Sequence, residues 1–287
     1  MAGKSGIEFV RLVGSERRVA DTLAGVSKHW QGDRECFLFV SPHDDDVVLG
    51  AGLLIQLAKR EKVPVYVMVT TDGRMGYCEP DEEGVISDIR RTEAYECYSK
   101  LGVPKKNIVW LGFPDCNLTA FQGRRPADPG LEPVVVIEGH TGLQNAFTHW
   151  LRQIRPTQVF IPTSADLHPD HRLVHSELMI SLFHAGGAIW PELGQPLENV
   201  PYVHEMGVYC DFPTAPKLRI KVTEKMLEKK LEAIKAFESQ KQIGSLVDIV
   251  RQSGPWEYLR PVDFTLYQPS KYHDMFEEKP ELRQMRY

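Results

Sequence analysis

Residues 36–46 read CFLFVSPHDDD, an apolar run that passes directly into a turn with three consecutive carboxylates. The first part, Cys36–Ser41, has the continuous apolar character of a strand that is buried on both faces of a parallel sheet. A predicted helix follows, with Gly50 and Gly52 near its start. In open α/β sheets, ligands bind outside the carboxyl ends of the strands. This stretch therefore predicts both the fold class and the position of a functional site.

The alternation of strands and helices continues along the chain. The further predicted strands are Val63–Thr71, Ile108–Leu111, Thr157–Pro162, Tyr202–Cys210 and Leu218–Val222. The predicted helices are Gly50–Arg60, Ser87–Leu101, Leu143–Ile154, Asp170–Phe183 and Glu224–Glu238. This order indicates βαβ units with right-handed crossovers. We therefore predict a Rossmann-like α/β fold, in which a mostly parallel sheet flanked by helices forms a single domain.

The flanking segments are less regular than the centre of the chain. Residues 36–240 are predicted to form the main domain, with an insertion at about 121–140 that carries Gly, Pro and charge. Residues 1–35 are predicted to be an N-terminal extension with a helix around Glu16–Trp30. Residues 241–287 are predicted to be a C-terminal tail that packs on the domain.

Composition and charge exclude several classes of protein. The 287 residues include 34 Lys+Arg and 39 Asp+Glu, so the formal net charge is −5, which argues against a protein that coats nucleic acid or an anionic membrane. No run is apolar over the length of a bilayer span. Five cysteines without a CxxC pair indicate neither a disulfide framework nor a thiolate zinc cluster. We predict a cytoplasmic protein that acts on a small molecule, and a homo-oligomer is compatible with the sequence.

Two clusters of histidine and aspartate follow two of the predicted strands. In the first, His43 and Asp46 are three residues apart; in the second, which begins at Asp166, His168 and His171 have the same spacing. Imidazole and carboxylate suit zinc, and three protein ligands with one open position form a catalytic zinc site. Alone, the first cluster could be an acidic turn that caps a helix, and the second a polar loop with solvated histidines. Together, at the ends of parallel strands, they predict one shared metal site.

These motifs resemble those of the LmbE-like/PIG-L family of zinc-dependent de-N-acetylases, which act on N-acetylglucosamine-type sugars. The first motif of the family is His-Pro-Asp-Asp-Glu. The chain matches it at His43, Asp45 and Asp46, whereas Asp44 replaces the usual Pro and Val47 the usual Glu. Loss of the Glu removes a polar contact, while Asp44 adds a carboxylate beside the metal ligands.

Other parts of the chain are similar to the same family. The second metal motif is matched in full by residues 168–171, and the resemblance spans roughly residues 36–240. The remaining similar stretches are Val48–Gly52, Thr71–Gly73, Arg90–Glu93, Leu111–Asp115 and Lys230–Gln240.

The resemblance implies a zinc-dependent hydrolase that removes an acetyl group from an N-acetylglucosamine-type sugar or glycoconjugate by means of activated water. One Zn²⁺, or another divalent transition metal, would be bound by His43, Asp46 and His171. Asp45 would act as the general base. Protonated His168 would stabilise the oxyanion, and Asp170 would orient His168.

Five further residues are candidate contacts of the amino-sugar substrate. The resemblance points to Arg90 and Arg91, although a solvated helix face explains these arginines equally well. Asp72 and Asp115 follow predicted strands and could line the sugar pocket, and His204 lies within another predicted strand. The rest of the substrate is not defined by any motif.

Two other functions remain open on the sequence alone. One is a metal-dependent phosphoesterase, because such enzymes often use two metals and Asp44 supplies an extra carboxylate. The other is a non-catalytic sugar- or nucleotide-binding module on the same fold. A dinucleotide is disfavoured, since no GxGxxG follows the first strand.

Overall fold

The computed structural model describes residues 6–130, 135–262 and 267–276. The described strands are β1 (Glu8–Val13), β2 (Glu16–Ala20), β3 (Phe37–Ser41), β4 (Val65–Thr71), β5 (Ile108–Phe113), β6 (Arg125–Pro126), β7 (His140–Thr141), β8 (Gln158–Pro162), β9 (Tyr202–Met206), β10 (Leu218–Lys221) and β11 (Trp256–Val262). The described helices are α1 (Leu23–Val26), α2 (Asp46–Arg60), α3 (Ile86–Lys100), α4 (Leu143–Ile154), α5 (Pro169–Gly186), α6 (Glu224–Ile234), α7 (Ile243–Ser253) and α8 (Ser270–Phe276). Within these residues, none of the helices is both long and apolar enough to cross a membrane.

Nine strands form one mixed sheet in the order β2-β1-β10-β11-β9-β8-β3-β4-β5. The five strands from β9 to β5 are parallel, so their carboxyl ends lie along one edge of the sheet. The other four strands extend the sheet with antiparallel pairing beyond β9. The predicted single-domain, Rossmann-like α/β fold is confirmed.

The continuous apolar sequence of β3 follows from burial of both faces of the sheet. Phe37 and Phe39 pack into a core with α2, α3 and α6 on one face. Leu38 and Val40 pack into a second core with α4 and α5 on the other face. Because alternate side chains of a strand point to opposite faces, a strand between two helical layers needs apolar residues at every position.

The predicted helix around Glu16–Trp30 is wrong over its first part. Residues 16–20 form β2, which pairs antiparallel with β1. Gly14, with φ of 58°, makes the tight turn between the two strands. Only Leu23–Val26 is helical, and Thr22 caps it by accepting a hydrogen bond from the Gly25 amide. The strand forms because β1 itself pairs with β10, more than 200 residues further along the chain.

The insertion and the tail are described in part. Residues 131–134 of the predicted insertion lie outside the described residues, and β6 and β7 pair across its ends. Of the predicted tail, residues 263–266 and 277–287 lie outside the described residues. The described part of the tail contributes β11, which lies between β10 and β9 in the large sheet. The division of the chain into extension, main domain and tail stays a prediction.

Candidate metal and active site

The two predicted clusters meet at the carboxyl edge of the parallel strands. The first lies between β3 and α2, and the second between β8 and α5, which begins at Pro169. The start of α2 comes very close to the end of β9, since a Cβ atom at Gly50 would lie 2.9 Å from the carbonyl oxygen of Gly207. Glycine at this position therefore permits the helix to bring its first residues to the edge of the sheet.

Three side-chain atoms converge on one point of this edge. Nδ1 of His43 lies 3.1 Å from Nε2 of His171. Oδ2 of Asp46 lies 3.4 Å from His43 Nδ1 and 3.2 Å from His171 Nε2. Asp46 and His171 are fully buried. The structure thus brings together all three residues that the sequence predicted as metal ligands.

The spacing of these atoms fits a tetrahedral cation. Ligand atoms 2.0–2.2 Å from a zinc ion in tetrahedral geometry are separated by roughly 3.3–3.6 Å, close to the three observed distances. The other carboxylate oxygen of Asp46, Oδ1, is buried without a hydrogen-bond partner among the described residues. Two imidazoles and one carboxylate are a donor set that zinc and similar divalent metals accept.

Carboxylates on the far side of each imidazole orient the two rings. Nδ1 of His171 lies 3.0 Å from Oδ2 of Asp166. Nε2 of His43 lies 3.2 Å from Oδ1 of Asp115 and 3.6 Å from Oδ2 of Asp170. A carboxylate beside one ring nitrogen favours the tautomer that is protonated there and leaves the other nitrogen with a free lone pair. In both rings the free nitrogen is the one that points to the common centre.

The ion pairs shift the pKa values of these ligands strongly. Burial alone would raise the pKa of Asp46, but the charges and hydrogen bonds of His171 and His43 overcome it and lower this pKa far below its usual range. Burial opposes protonation of His43, yet hydrogen bonds to Asp115, Asp170 and Asp46 raise its pKa well above the usual value. The cluster therefore binds a positive charge at its centre, as protons or as a metal ion.

Asp45 is buried beside this centre and is held by a residue from the far end of the chain. Its Oδ2 accepts a hydrogen bond of 2.7 Å from the Nε2 group of Gln240 and lies 3.8 Å from Nη2 of Arg90. The described residues offer Oδ1 of Asp45 no hydrogen bond. The sequence-predicted base thus has one fixed oxygen and one oxygen free to accept a proton.

Arg90 is a structural partner of the motif, and it does not lie on a solvated helix face. It forms a bidentate ion pair with Asp44, with Nε–Oδ2 at 2.7 Å and Nη2–Oδ1 at 2.5 Å, and both side chains are buried. Burial raises the pKa of Asp44 to about 6, because Arg90 offsets only part of its desolvation. The carboxylate that replaces the usual Pro is therefore neutralised internally.

His168 adjoins the two imidazoles, but its environment differs from the predicted one. The rings of His168 and His43 lie 4.6 Å apart in an edge-on arrangement. Nδ1 of His168 accepts a hydrogen bond from the main-chain N–H of Asp170, so this nitrogen carries a lone pair and no proton. Burial and then the charges of His43 and His171 lower the pKa of His168. With Nδ1 as an acceptor, the ring carries its proton on Nε2, and the role of His168 in stabilising the oxyanion stays a prediction.

The side chain of Asp170 does not orient His168, which corrects another prediction. Its Oδ2 accepts the main-chain N–H of Cys116 at 2.9 Å and approaches His43 Nε2. Asp115 has a similar position on the other side of His43, where the hydrogen bond with this imidazole outweighs burial and lowers the pKa of Asp115. Both carboxylates therefore act on the ligand His43 through its outer nitrogen.

The remaining candidate contacts lie at different distances from the centre. Asp72 is buried, and it accepts a 2.6 Å hydrogen bond from Arg74 and one from the main-chain N–H of Asp115. Arg91 points to solvent and pairs with Asp88 on its own helix. His204 lies in a cavity at the opposite edge of the sheet, next to Arg11 and His29. Arg91 and His204 thus lie away from the cluster, and the structure does not support their interpretation as substrate contacts.

Three residues of the site received no role from the sequence. Asp166 begins the second cluster, and a carboxylate next to a histidine motif is the signal that could have identified it. Gln240 lies in a stretch with family resemblance, but nothing local indicates its contact with Asp45. Tyr209 places its ring 5.7 Å from that of His171, and no sequence signal predicts this contact.

The Rossmann-like α/β sheet carries a cluster of His and Asp side chains at its carboxyl edge, which is compatible with a divalent metal ion. The PIG-L family, described as GlcNAc-PI de-N-acetylase, matches residues 38–181, half of the chain. The chain belongs to this family and is a hydrolytic N-deacetylase, as the predicted family resemblance implied. The curated proteins include no match.

Solved structures share the fold over most of the chain. The conserved protein TT1542 from Thermus thermophilus is 25% identical, with a TM-score of 0.60 over 81% of this chain and 97% of its own. The N,N'-diacetylchitobiose deacetylase from Pyrococcus horikoshii is 22% identical, with a TM-score of 0.60 over 84% and 86%. The 4-carboxy-2-hydroxymuconate hydratase GalB from Pseudomonas putida is 19% identical, with a TM-score of 0.59 over 82% and 98%. The last likeness shows that the fold alone does not define a reaction.

Proposed function

We propose that the protein removes the acetyl group from an N-acetylglucosamine-type sugar or glycoconjugate, with a divalent metal ion, Zn²⁺ in the first place, bound by His43, Asp46 and His171. The observation that carries the proposal is the convergence of three ligand atoms within 3.1–3.4 Å of one another, with carboxylates behind both imidazoles. The deacetylase from Pyrococcus horikoshii, which shares the fold, supports an amino-sugar substrate.

The metal and the base have separate tasks in this proposal. His43, Asp46 and His171 would hold a divalent cation, which would polarise an amide carbonyl and make water a stronger acid. Asp45 takes the proton of the attacking water on Oδ1, while Gln240 holds Oδ2. Asp45 then returns this proton to the nitrogen of the leaving amine.

His168 acts as a neutral hydrogen-bond donor. Because its Nδ1 accepts the Asp170 amide, its Nε2–H is free to donate to the oxygen that becomes negative when water adds to the carbonyl. Tyr209, whose side chain is half exposed, borders the same space. Its partial burial and the carboxylates of Asp45 and Asp46 raise its pKa, so its hydroxyl stays protonated. Asp72 is a candidate contact for sugar hydroxyls.

Two other groups of potential ligands overlap with the proposed one, namely His43, His168 and His171, and His43, Asp115 and Asp170. The first shares both histidines with the proposed site, and the second uses the outer nitrogen of His43, whose ring its carboxylates orient. We therefore expect one metal ion per chain, which favours the amidase over a two-metal phosphoesterase.

The test is an amine-release assay on the metal-loaded protein with a panel of N-acetylglucosaminides: chitooligosaccharides, glycosyl-inositol, glycosyl-malate and antibiotic-linked sugars. Asp45→Asn should lower the rate by about 10³-fold, in the range of a lost general base. Asp88→Asn, on the exposed side of α3, removes the same charge and should leave the rate unchanged. Absence of free amine from every substrate, full activity of Asp45→Asn, or two metal ions per active chain would contradict the proposal.

A further inference from the structure

A cavity of about 730 Å³ lies at the amino ends of the parallel strands, at the opposite edge of the sheet from the metal site. Its lining includes the first residue of β8, Gln158, and the first residue of β9, Tyr202. Arg11 of β1 and Phe183 of α5 border it from either side. Small-molecule sites have volumes of about 300–1,000 Å³, so the cavity is large enough for a ligand of its own.

The charged residues among the described lining of this cavity all have the same sign. Arg11, Lys28 and Lys217 line it, and no aspartate or glutamate of the described residues does. Within residues 6–130, 135–262 and 267–276, no carboxylate forms an ion pair with any of the three. The pKa of Arg11 is lowered by burial and by Arg18, another cation. The three cations of the described lining thus favour a positive potential in the cavity, which attracts anions.

The mouth of the cavity is apolar as well as cationic. Five of the large hydrophobic side chains that the protein exposes line this one cavity, namely Leu12, Val13, Phe183, Val200 and Tyr202. The ring of Tyr202 stacks on that of His29 at 3.7 Å with an interplanar angle of 2°. Exposed apolar side chains concentrated at one place mark binding sites more often than scattered ones do.

His204 supplies a buried polar group among the lining residues. Its ring stacks on Phe160, and its Nδ1 has no hydrogen-bond partner among the described residues. Burial, with Arg11 and His29 nearby, lowers the pKa of His204 to about 3, so the ring is neutral at pH 7. It therefore adds hydrogen-bonding capacity without adding charge.

We propose that this cavity binds an amphiphilic anion, in which an aliphatic chain carries a carboxylate or phosphate head group. The chain would occupy the apolar part between Phe183, Val200 and Tyr202. The head group would lie at the rim, where Arg11, Lys28 and Lys217 meet solvent. The proposal is independent of the deacetylase function, because the cavity shares no residue with the metal site.

Calorimetric titration of the full chain tests this proposal. The probes are decanoate and decyl phosphate, with inorganic phosphate as a head group alone and decyl glucoside as an uncharged amphiphile. We expect both anionic amphiphiles to bind at least about tenfold more tightly than either of the other probes, since charge and apolar burial then add. Shifts of the His204 ring resonances on addition of decanoate would locate the ligand.

Variants of the rim separate this site from nonspecific binding. Arg11→Gln/Lys217→Gln should weaken decanoate binding about tenfold, and the single exposed variant Lys217→Gln should weaken it less. Lys225→Gln removes the same charge from α6 and should bind as the unmodified protein does. Failure of decanoate to bind, equal binding of decyl glucoside or of inorganic phosphate, or unchanged affinity in the double variant would overturn the proposal. Thermal melting curves show whether each variant is folded.

Discussion

The side-chain amide of Gln240 donates a 2.7 Å hydrogen bond to Oδ2 of Asp45, across 195 residues of sequence. Both side chains are buried, at 3% and 4% exposure. Gln240 lies in the connection between α6 and α7, while Asp45 immediately precedes α2. A neutral donor can fix the direction of a carboxylate without removing its charge, so Gln240 is a positioning residue for the proposed base.

Gln240→Leu should therefore lower kcat by about 10- to 100-fold with little change in KM, as for other residues that orient a catalytic group. The amide is lost while the volume of the side chain is nearly kept. Steady-state kinetics of amine release measure the effect. Gln242→Leu, two residues further and exposed, is the matched control and should keep full activity. Equal effects of the two substitutions on kcat would rule out the positioning role.

Asp166→Asn should weaken metal binding by about 10- to 100-fold, because the carboxylate behind His171 orients that ring and increases its basicity. In the unmodified protein, Oδ1 of Asp166 accepts a hydrogen bond from the main-chain N–H of His168. The side-chain oxygen of asparagine can still accept this bond. Competition with a chromophoric chelator gives the dissociation constant. Asp248→Asn on the exposed face of α7 serves as the control. An unchanged metal affinity in Asp166→Asn would show that His171 needs no such support.

The proposed metal ligands could be predicted because they lie in short motifs that follow parallel strands. His43 and Asp46 lie two and five residues after the end of β3, and His171 lies nine residues after the end of β8. The fold class puts these strand ends together. The apolar run of β3 is similarly local, since a strand covered on both faces must be apolar throughout.

The orientations of other side chains could not be predicted, because they depend on contacts between distant parts of the chain. The sequence predicts Asp170 at His168 and Asp115 at the substrate, but both turn toward His43, because the loop after β5 and the start of α5 meet there. His204 was correctly assigned to a strand. Its place in the opposite cavity follows from the pairing of β9 with β8 and β11, which sequence periodicity does not reveal.

Arg90→Leu should lower the free energy of unfolding by about 3–5 kcal/mol, because it leaves the buried carboxylate of Asp44 without its partner. Asp44→Leu leaves Arg90 unpaired and should also be strongly destabilising. The double variant Asp44→Leu/Arg90→Leu should lose less stability than the sum of the single losses, since neither charge is then left alone.

Urea unfolding of the four proteins completes this double-mutant cycle. Arg91→Leu/Asp88→Leu, an exposed pair on the same helix, provides a comparison in which the coupling should be below about 1 kcal/mol. Simple additivity at Asp44 and Arg90 would mean that the buried pair contributes no coupling.

Glu205→Gln should destabilise the protein more at pH 6.5 than at pH 3. Burial opposes ionisation of Glu205, but hydrogen bonds with His175, Arg260 and Ser164 lower its pKa from 4.5 to about 2. Because the folded pKa is depressed, this stabilisation is complete above about pH 4.5 and is lost as the pH falls through the range down to about 2. At pH 6.5 we expect a loss of about 1–3 kcal/mol, and at pH 3 less than half of it. Urea unfolding at the two pH values measures the difference, with the exposed variant Glu238→Gln as the control. A destabilisation that does not depend on pH would show that the ionised form of Glu205 is not what stabilises the fold.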